Sequence, residues 1–142
     1  MTNTAIETTI NRNLIADQDR LNHVEKLFGI HFPFRLEPVI YDITERMAPT
    51  YRGGYWNFYR LNSGGFYMAP EGGQTYQVSC DNYWSGELSA DALGIAACLY
   101  AYSHLSFGGP EEFARQCARH YHLLREYMCE HSEVEGILGA VD

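Results

Sequence analysis

The sequence predicts an α+β fold, and three stretches lead to that prediction. Residues 54–69 form two runs rich in aromatic side chains on either side of a turn with two glycines, which is typical of a β-hairpin. Residues 92–103 are apolar almost all round, as in a helix buried at the centre of a domain. Residues 110–130 carry apolar side chains on one face. We therefore expect four or so helices around a short three-stranded antiparallel sheet.

The chain before the hairpin predicts two helices after an irregular start. Residues 1–16 lack a hydrophobic period, so we expect them to be only partly ordered. Asp17 can cap the first helix, and Gly29 supplies the left-handed residue that ends it. Pro38 suits the first turn of the second helix, which Pro49 terminates. The apolar residues at helical spacing are Leu21, Val24, Leu27 and Phe28 in the first helix, and Val39, Ile40, Ile43 and Met47 in the second.

After the hairpin, the sequence predicts one more strand and the remaining helices. Residues 75–80 alternate in polarity and would continue the hairpin as the third strand of a meander. Ser89 is a suitable N-cap for the central helix, and Asp91 in its first turn favours the helix dipole. The glycines and proline at 108–110 end that helix and start the next. Residues 132–142 are expected to form a short helical turn or a loose tail.

The composition places the chain among ordinary globular proteins. Its 142 residues, 46% hydrophobic and 20% charged, suit one domain spanning residues 1–142. The N-terminus lacks the basic and apolar segments of a secretion signal, and the longest apolar run is far shorter than the ~20 residues of a membrane-spanning helix. We therefore expect a cytoplasmic protein with no membrane contact, whose four cysteines are reduced thiols.

The charge of the chain argues against stable binding to DNA. The formal net charge is -8 and the chain has one lysine, whereas affinity for nucleic acids comes mainly from lysine and arginine. Imitation of DNA by dense carboxylates is also disfavoured, since residues 1–52 hold seven acids and six bases. Binding of nucleic acid, with bases stacked on Trp56, Phe58 and Tyr67 of the hairpin, is therefore kept only as the alternative to a function in protein binding.

Residues able to bind metal or act as nucleophiles are present, but their spacing does not suit a site. The possible zinc ligands near the last long helix are Cys117, His120, His122, Cys129 and His131. The two cysteines of this set lie about 18 Å apart along one predicted helix, whereas zinc ligands converge within ~2.3 Å of one ion. Cys98, near His104, is expected to be buried, and burial raises the pKa of a thiol and makes it inert. The sequence therefore predicts no catalytic residue, metal site or cofactor.

Two surfaces are candidates for contact with a protein partner. The first is the outer face of the aromatic hairpin, because exposed rings favour association. Its candidate residues are Trp56, Phe58, Arg60 and Tyr67. The second is the C-terminal part of the chain, where residues 89–142 hold eight acids and three bases and would attract a basic patch. Its candidate residues are Glu130, Glu133, Glu135 and Asp142.

The hairpin region also resembles a known protein family. Residues 53–59 read Gly-Gly-Tyr-Trp-Asn-Phe-Tyr and residues 62–70 read Asn-Ser-Gly-Gly-Phe-Tyr-Met-Ala-Pro, which is similar to the signature of the ArdB/KlcA antirestriction proteins. The similarity extends less sharply over most of the chain, including residues 46–51, the helix after Ser89 and the boundary at 108–110. This resemblance implies a small α+β domain encoded on plasmids or other mobile elements.

The resemblance further implies an inhibitor that is not a catalyst. Such a protein would protect incoming DNA from type I restriction enzymes in the bacterial cytoplasm. The implied partner is a type I restriction-modification enzyme or an associated host protein, contacted directly or indirectly. The family offers no catalytic residues to transfer to this sequence.

Overall fold

The aromatic hairpin forms two strands of a three-stranded antiparallel sheet in the computed structural model, which describes residues 9–142. In spatial order the strands are β1 (Arg12–Leu14), β2 (Trp56–Leu61) and β3 (Phe66–Pro70). Within the hairpin Trp56 lies opposite Pro70 and Tyr59 lies opposite Tyr67. The predicted hairpin at 54–69 is therefore confirmed.

Strand β1 comes from the segment for which the sequence predicts only partial order. The amide of Ile15 donates a hydrogen bond to the carbonyl of Phe58 at 2.8 Å, and the amide of Asn62 donates to the carbonyl of Asn11 at 3.0 Å. These bonds extend the pairing of β1 with β2. Three residues are too few for an alternating pattern to be recognised in the sequence. Residues 1–8 of the same segment lie outside the described residues.

The second sheet is a separate hairpin, and here the structure differs from the predicted meander. Strand β4 (Thr75–Ser79) forms where a third strand is predicted near 75–80, but it pairs with β5 (Ser85–Ser89) and not with the first hairpin. Serine, glycine and glutamate dominate β5, and because these residues have low strand propensity the sequence contains no local signal for this strand.

Helical segments connect β1 to the first hairpin. They are a 3-10 turn (Asp17–Asp19), helix α1 (Arg20–Phe28), a π-helical turn (Phe32–Leu36) and helix α2 (Glu37–Met47). Gly29 ends α1 with a φ of 61°, as predicted. The predicted N-cap Asp17 does not cap α1, because the 3-10 turn precedes the helix; its carboxylate accepts a hydrogen bond from the Tyr55 hydroxyl.

Helix α3 (Ala90–Leu105) lies at the centre of the fold, as its apolar sequence predicts. Ser89 is its N-cap, and the serine Oγ accepts a hydrogen bond from the amide of Ala92 at 3.1 Å. The helix packs against β3 and α2, and Tyr102 near its end donates a hydrogen bond to the carbonyl of Phe66 at 2.7 Å. Most of its side chains are fully buried.

Two further helices pack against α3. Helix α4 (Glu111–Met128) follows the boundary predicted at Pro110, and helix α5 (Val134–Val141) forms where the sequence allows a helical turn or a loose tail. Ile137 and Ala140 of α5 are buried. The α+β class is thus confirmed, with five α-helices and two small antiparallel sheets in residues 9–142. None of the helices in this described range is long and apolar enough to cross a membrane.

Candidate functional site

The aromatic residues predicted to contact a partner lie inside the protein. The exposed fractions of Trp56, Phe58 and Tyr67 are 3%, 6% and 0%. The indole nitrogen of Trp56 donates a hydrogen bond to the Tyr51 hydroxyl at 2.7 Å, and the indole packs edge-on against the ring of Tyr41. A base needs an open ring face on which to stack, and these three rings offer none.

The fourth hairpin candidate, Arg60, is exposed, and the other side chains are covered by specific neighbours. The guanidinium of Arg20 lies 3.8 Å above the ring of Phe58. The ring of Tyr67 stacks on that of Tyr59, with centroids 5.0 Å apart. Of the candidate contact residues in the hairpin, only Arg60 is therefore exposed to solvent, and the three aromatic residues are part of the hydrophobic core.

The four acidic candidates differ in their surroundings. Glu130 and Glu135 are exposed. Glu133 accepts two hydrogen bonds from Ser89, one from its amide at 3.0 Å and one from its hydroxyl at 2.5 Å. Asp142 forms an ion pair with Arg125 at 3.3 Å. Two of the four carboxylates thus have partners within the chain.

Four polar side chains from distant parts of the sequence meet at the start of α3, and we call them the Asp91 cluster: Arg12, Tyr67, Asp91 and His131. Arg12 lies 2.6 Å from the Asp91 carboxylate and donates a second hydrogen bond to the Tyr67 hydroxyl at 2.9 Å. That hydroxyl donates to the same carboxylate oxygen at 2.7 Å. The Nε2 atom of His131 lies 2.8 Å from the other carboxylate oxygen. The cluster ties β1, β3, α3 and the turn after α4 together.

The electrostatics of the Asp91 cluster favour an ionised carboxylate. Burial alone would raise the pKa of Asp91, but hydrogen bonds from His131 and Tyr67 and the charge of Arg12 outweigh it and lower the pKa below its ordinary value. Burial and the neighbouring carboxylate raise the pKa of Tyr67, so its hydroxyl remains a donor. Asp91 is half-buried, and these partners satisfy both oxygens of its carboxylate.

Ser89 lies near His131 and Asp91 of the cluster, but the three residues are not in a nucleophilic arrangement. The Nδ1 atom of His131 accepts a hydrogen bond from the amide of Glu133 at 3.0 Å, so the ring proton lies on Nε2 and points at Asp91. The Ser89 hydroxyl donates to Glu133 and not to His131. In a serine–histidine pair the imidazole accepts the serine proton, and here both imidazole nitrogens are hydrogen-bonded to other groups.

The sequence indicates only that Asp91 favours the dipole of α3, and it does not predict the other members of the Asp91 cluster. Arg12 and Asp91 are 79 residues apart, and His131 lies 40 residues from Asp91. No local spacing connects residues at such separations. The one local sign of the Asp91 cluster in the sequence is that Asp91 is a charged residue in the first turn of an otherwise apolar helix.

The possible zinc ligands and the possible thiol nucleophile are dispersed. Burial raises the pKa of the Cys98 thiol to about 12, against a smaller opposing effect of its hydrogen bond to the Met68 carbonyl. Within residues 9–142 no three His, Cys, Asp or Glu side chains come together as a metal site. His120 lies in the core, with its ring 4.8 Å from that of Phe28.

His120 predicts a pH dependence of stability. Burial lowers its pKa from 6.5 to about 4, with smaller contributions from the charges of Arg119 and His23. Between these values the unfolded chain binds a proton that the folded protein does not, so stability is present above pH 6.5 and falls as the pH drops toward 4. The loss is up to about 3 kcal/mol.

Replacing His120 with Phe keeps a ring and removes the titration. Urea unfolding at about pH 7 and about pH 4.5 should then show a smaller loss of unfolding free energy for His120→Phe than for the wild type. The matched control is His122→Phe, at an exposed position of the same helix, which should follow the wild type. Equal pH sensitivity of the His120 variant and the wild type would contradict this assignment.

A groove with an apolar floor runs along α1, and we call it the α1 groove. Its volume is about 630 Å³. It is lined by Asp17, Arg20, Leu21, Val24, Glu25, Gly29, Ile30, Phe32, Pro33, Glu37 and Phe58. Leu21, which helical spacing assigns to the buried face of the first helix, is 82% exposed, and Ile30 is 66% exposed. Exposed apolar side chains beside a groove are typical of interaction sites.

Comparison with known protein families and sequences points to a single group. A family described as "Antirestriction protein" matches residues 49–142. The antirestriction protein KlcA of Escherichia coli is 37% identical over 147 residues, with 100% of both chains covered. The uncharacterised protein YafX of Escherichia coli K12 is 36% identical, with 90% of this chain and 85% of that protein covered.

Comparison with solved structures points to the same group. One matching structure was reported for the KlcA and ArdB proteins, with a TM-score of 0.87 and 34% sequence identity. The match covers 98% of this chain and 99% of that chain. Those proteins are described as having a novel fold and antirestriction activity against type I DNA restriction systems in vivo but not in vitro.

Proposed function

Since the chain belongs to the antirestriction protein family, we propose that it protects DNA that enters a bacterial cell by inhibiting type I restriction enzymes. The observation that carries the proposal is similarity over the whole length in both sequence and fold, at 37% identity to KlcA and a TM-score of 0.87. We place this activity in the cytoplasm, where restriction enzymes meet incoming DNA.

We infer that inhibition works by contact with a protein and not by catalysis. The side chains beside the Asp91 cluster support this inference, because the Ser89 hydroxyl donates to the Glu133 carboxylate and the His131 imidazole does not accept its proton. The net charge of -8 disfavours stable attachment to DNA, and the near balance of acids and bases in the N-terminal third disfavours imitation of DNA. The partner is the type I enzyme itself or a host protein that acts with it.

The reported behaviour of KlcA and ArdB favours a role for a further cell component. Activity in vivo but not in vitro is expected when a purified enzyme and a purified inhibitor lack something that the cell supplies. Of the predicted contact residues, Arg60, Glu130, Glu135 and Asp142 are exposed in this chain, and of these only Asp142 forms an ion pair among the described residues. We propose that Arg60, Glu130 and Glu135 contribute to the contact, with the paired Glu133 and Asp142 contributing less.

The proposed function predicts a large change in phage plating. Unmodified phage should plate with an efficiency that is higher by orders of magnitude on cells with a type I restriction system when this protein is expressed. Cells that lack the restriction system should plate phage equally well with and without the protein, which controls for effects on phage growth. Unchanged plating on restricting cells that contain folded protein would refute the proposed function.

A further inference from the structure

We propose that the α1 groove docks an amphipathic helix of the protein partner, with apolar residues on one face of that helix and lysine or arginine beside them. The proposal rests on the proposed function, since it names a second surface, beside Arg60, Glu130 and Glu135, through which inhibition by protein contact would act. It is argued from the exposed apolar side chains of the groove, from the charges at its rim and from its size.

The apolar part of the α1 groove has the form of a docking surface. Val24, Phe32 and Phe58 are buried and form its floor. Leu21 and Ile30 project from its edges with exposed fractions of 82% and 66%. Exposing these two large aliphatic side chains to water is unfavourable in free energy. A partner that covers them would gain that free energy on binding.

The rim of the groove is acidic. Its lining contains three carboxylates, Asp17, Glu25 and Glu37, and one guanidinium, that of Arg20, which leaves a net charge of about -2. Among the described residues Glu25 has no hydrogen bond or ion pair to a side chain. An incoming lysine or arginine would therefore find an available carboxylate beside the apolar floor.

The single base of the groove is already engaged. Arg20 donates a hydrogen bond to the carbonyl of Trp56, and its guanidinium lies over the rings of Phe58 and Tyr55, at 3.8 Å and 4.8 Å from their centroids. It lies over the Phe58 ring of the floor, and its charge offsets one of the three carboxylates. The charge complementarity thus favours a basic partner and disfavours nucleic acid.

A helix is the occupant that suits the size of the groove. Helix-in-groove recognition places side chains at positions i, i+3 or i+4 and i+7 into one apolar channel. A volume of about 630 Å³ accommodates several such anchors. Flanking bases on the same helix would then reach the carboxylates at the rim.

The first test measures binding of a defined probe. The probe is a synthetic helix of about 18 residues, roughly five turns, with leucines on one face and lysines on the other. We expect NMR shift changes at residues of α1 and of the π-helical turn, and affinity reduced about tenfold or more for the double variant Leu21→Ser, Ile30→Ser and for Glu25→Lys. A peptide of the same composition in scrambled order should bind as weakly to the wild type.

Matched controls keep the test specific. Phe107→Ser changes a side chain that is 86% exposed and does not line the α1 groove, and Glu126→Lys reverses a charge on α4. Both should bind the probe like the wild type. Equal loss of affinity in control and groove variants, or shift changes away from α1, would overturn the proposal. So would a concentration-dependent dimer that dissociates in the double variant, because a second copy would then be the occupant.

The second test uses protection of phage in cells and separates the two proposals. Folded groove variants should lose protection on restricting cells, while the two control variants keep it. If the wild type itself gives no protection, the proposed function fails, whatever the probe shows. If the wild type protects and the groove variants protect equally well, the proposed function stands and the groove proposal is refuted.

Discussion

Replacing Gly94 with alanine should destabilise the protein by about 3 kcal/mol or more, although the same change usually stabilises a helix interior by about 1 kcal/mol. Gly94 lies inside α3, and its backbone presses against β3. A Cβ atom there would lie 2.3 Å from the Cβ of Ala69 and 2.5 Å from both the Cα of Ala69 and the carbonyl oxygen of Met68. Two of these atoms belong to backbone and cannot rotate away, so overlap outweighs the gain in helix propensity.

The measurement is thermal and urea unfolding of Gly94→Ala beside the wild type. A loss of about 3 kcal/mol corresponds to a melting temperature lower by about 10 °C in a chain of this size. Gly73→Ala is the matched control, because an added Cβ would meet no atom within 4 Å and Gly73 does not have a positive φ. If Gly94→Ala melted at or above the wild-type temperature, α3 could not lie this close to β3.

Replacing Trp56 with alanine should cost about 3–5 kcal/mol of unfolding free energy. The indole is 3% exposed, and its removal would leave a cavity beside Tyr41 and deprive the Tyr51 hydroxyl of its donor at 2.7 Å. This is a large part of the roughly 5–15 kcal/mol that holds a typical domain folded. The variant should accumulate poorly in cells and protect phage weakly for that reason.

Unfolding experiments distinguish this explanation from loss of a contact surface. Trp56→Phe, which retains most of the buried apolar area, should recover much of the stability and the protection. Phe107→Ser, at an exposed position, should stay within about 0.5 kcal/mol of the wild type. A stable, fully folded Trp56→Ala variant without protection would instead place the indole in the contact with the partner.

The elements predicted from the sequence are those encoded by short stretches of chain. The hairpin is visible because its two runs of rings flank a glycine turn, and α3 because its apolar residues leave no polar face. The cap at Ser89 and the stop at Gly29 depend on single residues with known preferences, and both occur as predicted. Each of these signals lies within a few residues of the element that it specifies.

Which strands pair with each other could not be predicted from the sequence. Residues 75–79 form a strand, as their alternation predicts, but alternation does not say which strand lies alongside. The serine-rich β5 supplies that neighbour, and β1 supplies the third strand of the first sheet. Both segments form strands because they cover apolar surface of the protein. This tertiary packing outweighs their low intrinsic strand propensity.

The candidate contact surfaces also combine features that are encoded locally with features that depend on the folded structure. Composition and local periodicity are enough to predict the α+β class, the hairpin, the central helix and the acidic balance of the chain, and the motif at residues 53–70 carries the resemblance to antirestriction proteins. The burial of Trp56, Phe58 and Tyr67 and the exposure of Leu21 depend on the packing of the whole chain. The same packing brings Asp91 to Arg12 across 79 residues. The burial of a side chain depends on which elements pack against it in the folded protein. Contacts between residues far apart in the sequence form only when the chain folds, and no local sequence pattern predicts them.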